Sequence, residues 1–256
     1  MEFVIHGKQP KKTDKIALID ADYIMYKTVP KLKVNEDISA LCNLIDVEIS
    51  TLREYFKAKH MLFCFSGEPD NYFRNHIAID KKYKGNRERS MNHYRDAIVT
   101  YIKYRYATLI FNELEADDIL CMLQDEDTFI YSEDKDMQQI PGTHWDLKKE
   151  LFYEIDEFQA FDFLMSQVIM GDSVDNIGGL KDYGLIKTSK LLTNCSSPQS
   201  LINVTINEYI KVHGVVNGID AFTEMWNLVK LRGNRGTYFK ERYQFAFETL
   251  ELLKQS

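Results

Sequence analysis

KIALIDAD, residues 15–22, reads as a short buried strand that runs straight into acids. HMLFCFS (60–66), ATLIF (107–111) and TFIY (128–131) are further apolar runs of strand length. Helical spacing lies between them. Leu41, Leu44, Ile45, Leu52 and Phe56 fall on one side of residues 36–59, and residues 117–123 form a second helix. Strands alternating with helices predict an α/β fold, a mostly parallel central sheet covered by helices on both faces. Sites in such sheets form at the carboxyl ends of the strands. Asp20, Glu115 to Asp118 and Asp134 to Asp136 all lie just past those ends, so they are expected to share one site.

The 256 residues, 45% of them hydrophobic, suffice for one large domain or a domain with a helical appendage. Beyond Pro141-Gly142 the alternation gives way to helices: residues 158–170, a glycine-punctuated turn and short helix over 177–192, and most of 201–253. No apolar run approaches the roughly 18 residues of a membrane helix. The apolar core at Met1 to Ile5 is too short for a secretory signal. Cys42, Cys64, Cys121 and Cys195 form no close pair, so reduced thiols in a cytoplasmic protein are expected. Six scattered histidines give a zinc site little support. A net charge of -7 argues at first against a nucleic-acid partner. With Asp20, Asp22, Glu115, Asp117, Asp118, Asp134, Asp136, Asp172 and Asp175 set aside, 32 basic residues face 30 acids, so local patches decide.

The acids fall into four clusters. Asp134 and Asp136 share a side of an extended segment, and Asp172 and Asp175 share a side of a helical turn. Glu115 and Asp118 share a helix face that Asp117 opens. Singly, each is an ordinary solvated turn or cap acid. Together at strand ends they repel unless something positive joins them. Hard divalent cations prefer oxygen ligands, and two of them about 4 Å apart hydrolyse phosphodiesters.

Two basic segments could hold an anionic backbone. The run KKYKGNRER (81–89) supplies Lys81, Lys82, Lys84, Arg87 and Arg89 for phosphates, with the Tyr83 ring to stack on a base. Its alternative is a solvated loop. Gly178, Gly179, Gly184, Lys187, Thr188 and Lys190 outline a helix-loop-helix whose backbone amides could bind phosphate.

LIDAD (18–22), KKYKGNR (81–87), LEADD (114–118), SEDKD (132–136) and GDSVDN (171–176), followed by the Gly-Lys helix-loop-helix, resemble in this order the flap endonuclease/5′-3′ exonuclease family. That family includes phage replication nucleases and the 5′ nuclease domain of bacterial DNA polymerase I. The likeness covers roughly Ile16 to Leu192. It implies a PIN-like nuclease core over residues 1–170 with a basic helical arch at 81–106. A helical part over 171–256 would carry a helix-turn-helix variant at 177–192.

The resemblance also assigns roles. Asp20, Glu115, Asp117 and Asp118 match ligands of a first Mg²⁺ or Mn²⁺, and Asp134, Asp136, Asp172 and Asp175 those of a second. Lys84 and Arg87 match the basic pair at the scissile phosphate, and Tyr83 a residue near the terminal bases. Gly178 to Lys190 match a duplex grip that also takes K⁺. Implied partners are DNA with 5′ ends or flaps, RNA-DNA hybrids and replication proteins, met by a monomer in the cytoplasm (of the host, if phage-encoded).

Two departures stand out. The family's aspartate after the second strand is missing at Phe65-Ser66, so either Glu68 or Asp70 substitutes or the first metal is held with one acid fewer. The glycine turn is thin at Lys181 to Gly184. Two rivals remain. A haloacid-dehalogenase-type phosphatase would use Asp20-Ala21-Asp22 and Gly171 to Asp175 but leaves Glu115 to Asp118 and the basic run idle. A non-catalytic binder of branched DNA would be expected to lack the metal acids.

Overall fold

The structure, a computed structural model, describes residues 13–32, 37–86, 92–233 and 237–256. Its elements run β1 (Ile16–Asp20), α1 (Ala21–Thr28), α2 (Ile38–Phe56), β2 (Met61–Phe65), α3 (Asn92–Arg105), β3 (Thr108–Ile110), α4 (Ala116–Leu123) and β4 (Thr128–Tyr131). There follow β5 (Gly142–Asp146), β6 (Leu151–Ile155), α5 (Glu157–Met170), β7 (Gly171–Asp172), β8 (Ile177–Gly178) and α6 (Leu185–Leu192). Helices α7 (Pro198–His213), α8 (Val215–Val229), α9 (Thr237–Arg242) and α10 (Gln244–Gln255) complete it.

Six strands form one sheet in the order β3-β2-β1-β4-β5-β6. All neighbours are parallel except β5 and β6. Strand β1 is buried throughout because helices cover both faces. Its side chains alternate between two cores. Ala17 and Ile19 pack with Phe63, Phe129 and Trp145 under α1, α2 and α3, whereas Ile16 and Leu18 pack with Leu62 and Ile130 under α4 and α10. The chain continues from β1 to β2 on one side and pairs with β4 on the other. The order therefore reverses at β1, where a crevice opens at the carboxyl ends.

The antiparallel hairpin β5–β6 was not anticipated. Pro141-Gly142 reads as the end of the sheet, yet GTHWD and LFYEI carry aromatic side chains that join the first core: Trp145 packs edge-on to Phe56, and Phe152 to Phe129. Tertiary packing outweighed the turn signal. The helical layer also starts earlier than the expected boundary at 170. Asp156 caps α5, its side chain accepting from the Gln159 amide. Leu164, Met165, Val168 and Ile169 of that helix then pack with Tyr209 of α7 and Met225 and Leu228 of α8. Of the segment expected as an arch, α3 lies against the sheet, with Ile98 and Ile102 in its core. Residues 87–91 of that segment lie outside the described residues. No helix among the described residues is long and apolar enough to cross a membrane.

Candidate active site

A cleft of about 980 Å³ opens over the carboxyl ends of the parallel strands. Asp20 and Asp22 enter it from the β1–α1 junction, Glu115 and Asp117 from the segment after β3, and Asp134 and Asp136 from the turn after β4. Asp172 and Asp175 reach it from the β7–β8 hairpin, so four separate chain segments bring their acids together. Oxygen atoms of Asp117, Asp134 and Asp136 lie within 4.8 Å of one another, and so do those of Asp136, Asp172 and Asp175. The division differs from the expected sets of four. Asp117 sides with the acids after β4, and Asp136 belongs to both triads.

Local structure explains these positions. Asp20 caps α1, accepting from the Tyr23 amide at 3.1 Å and from the Ser132 hydroxyl at 2.7 Å. Asp134 caps the short 3-10 turn Lys135–Gln139 through the Asp136 amide. Gly171, at φ +71°, turns the chain out of α5 into β7. A Cβ on Gly179 would meet the carbonyl carbon of Met170 at 2.2 Å, so only glycine lets β8 return so closely against β7. Gly179 therefore serves close backbone packing. Gly178 is open instead, with Lys81 Nζ its nearest neighbour at 3.8 Å from the ideal Cβ.

The electrostatics of the cleft are those of crowded anions. Burial first, then Asp22 and Asp134, push Asp20 up to about 7. Burial and Asp134 push Asp136 up to about 7 as well. Burial, Asp134 and Asp20 raise Asp117 far above the ordinary carboxylate range, and burial raises Asp22. Glu115 goes the other way. Burial would lift it, but Lys84 and Arg74 overcome that and hold it low. Lys84 pairs closely with Glu115 and lies 3.6 Å from Asp175, and Lys135 bonds Asp172 at 2.8 Å. A site whose grouped ligands are all carboxylates, two of them (Asp117 and Asp136) hard to ionise unaided, fits hard divalent cations.

Several expected residues are placed differently. Asp118 is fully buried and does not line the cleft. Arg74 grips it with two prongs, Nη1 to Oδ2 at 2.7 Å and Nη2 to Oδ1 at 2.9 Å, and the Arg232 amide donates to it as well. The expected ligand Asp118 is thus already consumed by an internal ion pair. Tyr83 does not offer its ring to a base, because the ring is 5% exposed and packs in the helical core. Its hydroxyl lies 2.6 Å from Glu115 and 3.0 Å from Asp175 instead, tying two acids together. Thr188 is buried, so its side chain is not presented at the surface.

Other expected positions remain accessible. Gly184 precedes α6 with nothing within 4 Å of its ideal Cβ, and Lys187 and Lys190 are exposed on that helix. Lys82 lines the cleft. Arg87 and Arg89 lie outside the described residues. Neither suggested substitute for the absent aspartate enters deeply: Glu68 pairs with Arg95 at 3.1 Å, and Asp70 sits exposed on the rim. Asp22 occupies that quarter of the cleft, accepting from the Ser66 amide at 3.0 Å.

The sequence reading passed over Arg74, Arg95, Lys135 and Gln167 as site residues. Asp22 carried a visible signal in LIDAD. Arg74 carried none, since a basic residue among aromatics gives no hint that it will be buried.

The comparisons agree with this geometry. The family described as "5′-3′ exonuclease, N-terminal resolvase-like domain" matches residues 15–162. A 5′-3′ exonuclease of Buchnera aphidicola subsp. Schizaphis graminum (strain Sg) is 26% identical over 216 residues, covering 75% of this chain and 74% of that protein. A T5 protein co-crystallised with metal ions superposes with a TM-score of 0.63 at 16% identity, over 94% of this chain and 97% of the other. A T5 flap endonuclease in complex with DNA and metal ions gives 0.55 at 16%, over 94% and 99%. At such identities the two structures establish a shared fold. With most of the sheet and the first acid clusters inside the matched segment, the chain belongs to the 5′-3′ exonuclease family of metal-dependent phosphodiester hydrolases.

Proposed function

We propose that the cleft hydrolyses phosphodiesters near the 5′ ends of DNA or of RNA-primed DNA, using two Mg²⁺ or Mn²⁺ ions. The observation that carries this reading is the pair of carboxylate triads hinged on Asp136. Asp117, Asp134 and Asp136 would hold one ion and Asp136, Asp172 and Asp175 the other, with Asp20, Asp22 and Glu115 acting from the surrounding wall. When bound, such a pair lowers the pKa of an attacking water and stabilises the leaving oxygen. The chain's own groups do the rest. Lys84, on the cleft wall, offsets charge that builds on the phosphate in the transition state. Lys82, Lys135 and Arg95 line the same cleft and hold the anionic backbone against the acids. The water oxygen bonds to phosphorus as the bond from phosphorus to the 3′ oxygen breaks, leaving a 5′-phosphate and a 3′-hydroxyl. No protein nucleophile takes part.

Exposed Lys187 and Lys190 and the open amides after Gly184 would grip duplex backbone, with K⁺ as the bridging ion. Arg87 would join Lys84 at the phosphate. The T5 flap endonuclease, whose fold this chain shares, is seen with DNA and metal ions, which supports a nucleic-acid substrate. We assign the protein to the cytoplasm (the host's, if phage-encoded), acting as a monomer alongside replication proteins. The decisive experiment is a panel of 5′-labelled flap, nicked, blunt and RNA-primed duplexes incubated without divalent metal, with Mg²⁺ and with Mn²⁺. Metal-dependent release of short 5′-labelled products is expected. Absence of cleavage on every member with either ion would overturn the proposal.

A further inference from the structure

Behind the cleft, the last residues of α8 and the segment that follows them are gripped along their backbone by buried polar side chains. Arg74 Nε donates to the Leu228 carbonyl at 2.8 Å and its Nη2 to the Lys230 carbonyl at 3.2 Å. Gln139 takes the groups in between. Its Nε2 donates to the Val229 carbonyl at 2.9 Å and its Oε1 accepts from the Leu231 amide at 3.1 Å.

That second grip fixes a direction. A backbone amide only donates and a backbone carbonyl only accepts, so the Gln139 side-chain amide has one orientation. The same Nε2 then donates to Gln167 Oε1 at 2.6 Å, which orients Gln167 in turn. Gln167 must therefore present its NH₂ group to Asp136, and it does so at 2.6 Å from Oδ1. Both glutamines are buried, Gln139 at 9% and Gln167 at 4% exposure, so water offers little competition for these bonds. A reversed Gln167 amide would set oxygen against the carboxylate. One oxygen of Asp136 is thereby held from behind, while the residue itself lines the cleft.

We infer that Gln139 and Gln167 form a positioning relay that aims Asp136, the acid common to both triads, and makes its orientation depend on the seating of residues 228–232. Neither glutamine touches substrate. The relay couples the helical layer to the metal centre, because α5 carries Gln167 and the braced segment is the exit of α8. This inference rests on the proposed two-ion reading of the cleft.

Mn²⁺ titration by calorimetry tests it on the full chain and on Gln167→Leu and Gln139→Leu. Orienting partners of metal ligands typically command 10–100-fold in metal affinity. Gln167→Leu is expected to weaken uptake of at least one ion about 10-fold or more, with unchanged circular dichroism. Its kcat on a 5′-labelled duplex should fall at constant KM and recover when Mn²⁺ is raised, which a purely structural defect would not do. Gln139→Leu should shift affinity in the same direction. Parental affinity in a folded Gln167→Leu would overturn the relay. Should that variant fail to fold, parental affinity in Gln139→Leu overturns it equally. A parent chain that takes up no paired ions would sink the two-ion reading itself, a separate outcome.

Discussion

Asp136 is the side chain on which both triads depend, so its loss should be felt at both ions. Asp136→Asn is expected to lower kcat by at least about 100-fold, beyond the 10–100-fold that outer partners command, while removing one charge from a crowded, half-buried cluster and sparing the fold. Steady-state cleavage paired with a melting curve checks this, and near-parental turnover would contradict it. Arg74 makes the opposite prediction. Cutting one partner out of a buried ion-pair network leaves charges uncompensated, at a cost of roughly 3–5 kcal/mol. Arg74→Met should therefore show a large loss of stability in urea, and a loss well under 1 kcal/mol would show the pairing to be dispensable. These two residues also mark how far single positions can be read. Asp20, Asp117, Asp134 and Asp136 were legible because strands ended in acids. Asp118 was misjudged because helix spacing gives a residue's face but not the partner already waiting there.

The raised acids give the metal-free protein a pH dependence with a definite sign. Asp20 and Asp136 rise from 3.8 to about 7 in the folded chain. Between those values the folded state binds more protons than the unfolded one, so their contribution is full below about 4 and declines as pH rises to about 7. Glu115, held below its usual 4.5, contributes above that value and loses its contribution in acid. Metal-free protein should thus melt lower at about pH 8 than at about pH 5.5. A melting temperature that climbs over that interval would refute the crowding described for the cleft.

At the scale of elements, the β7–β8 hairpin and α6 hold glycines of opposite meaning. A methyl on Gly179 would strike backbone, which cannot yield, whereas one on Gly184 meets open space. Overpacking of that kind costs typically about 1–3 kcal/mol. Gly179→Ala should be destabilised on that scale and lose activity as Asp172 and Asp175 shift, with Gly184→Ala close to the parent in thermal melts. Equal melting of the two would contradict the close approach. Spacing alone could not separate them, since both read as turn glycines. The parallel strands were legible as unbroken apolar runs. The β5–β6 hairpin was not, because its strands are stabilised by aromatic partners that lie far away in the chain, such as Phe56 and Phe129.

For the whole molecule, a mostly parallel sheet covered by helices was legible, and the packing of its last third was not. The parallel pairing follows from alternating strands and helices, but nothing in the helical pattern says that α10 returns to the sheet beside α4, where Ala246 and Leu250 complete the second core. A ligand that binds only the folded state stabilises it by about 2.7 kcal/mol at 100 times its Kd. Mg²⁺ should therefore raise the melting temperature, and more at about pH 8, where the acids are ionised, than at about pH 5.5. An absence of any shift would weigh against the cage of carboxylates.

Every acid of the cleft lies between Asp20 and Asp175, while the backbone that seats Arg74 and Gln139 comes from residues 228–232. A chain emerging from the ribosome therefore exposes its full set of carboxylates well before the segment that aligns them has been made. On the proposed relay, such a partial chain carries the acids of the cleft without the backbone that seats Arg74 and Gln139.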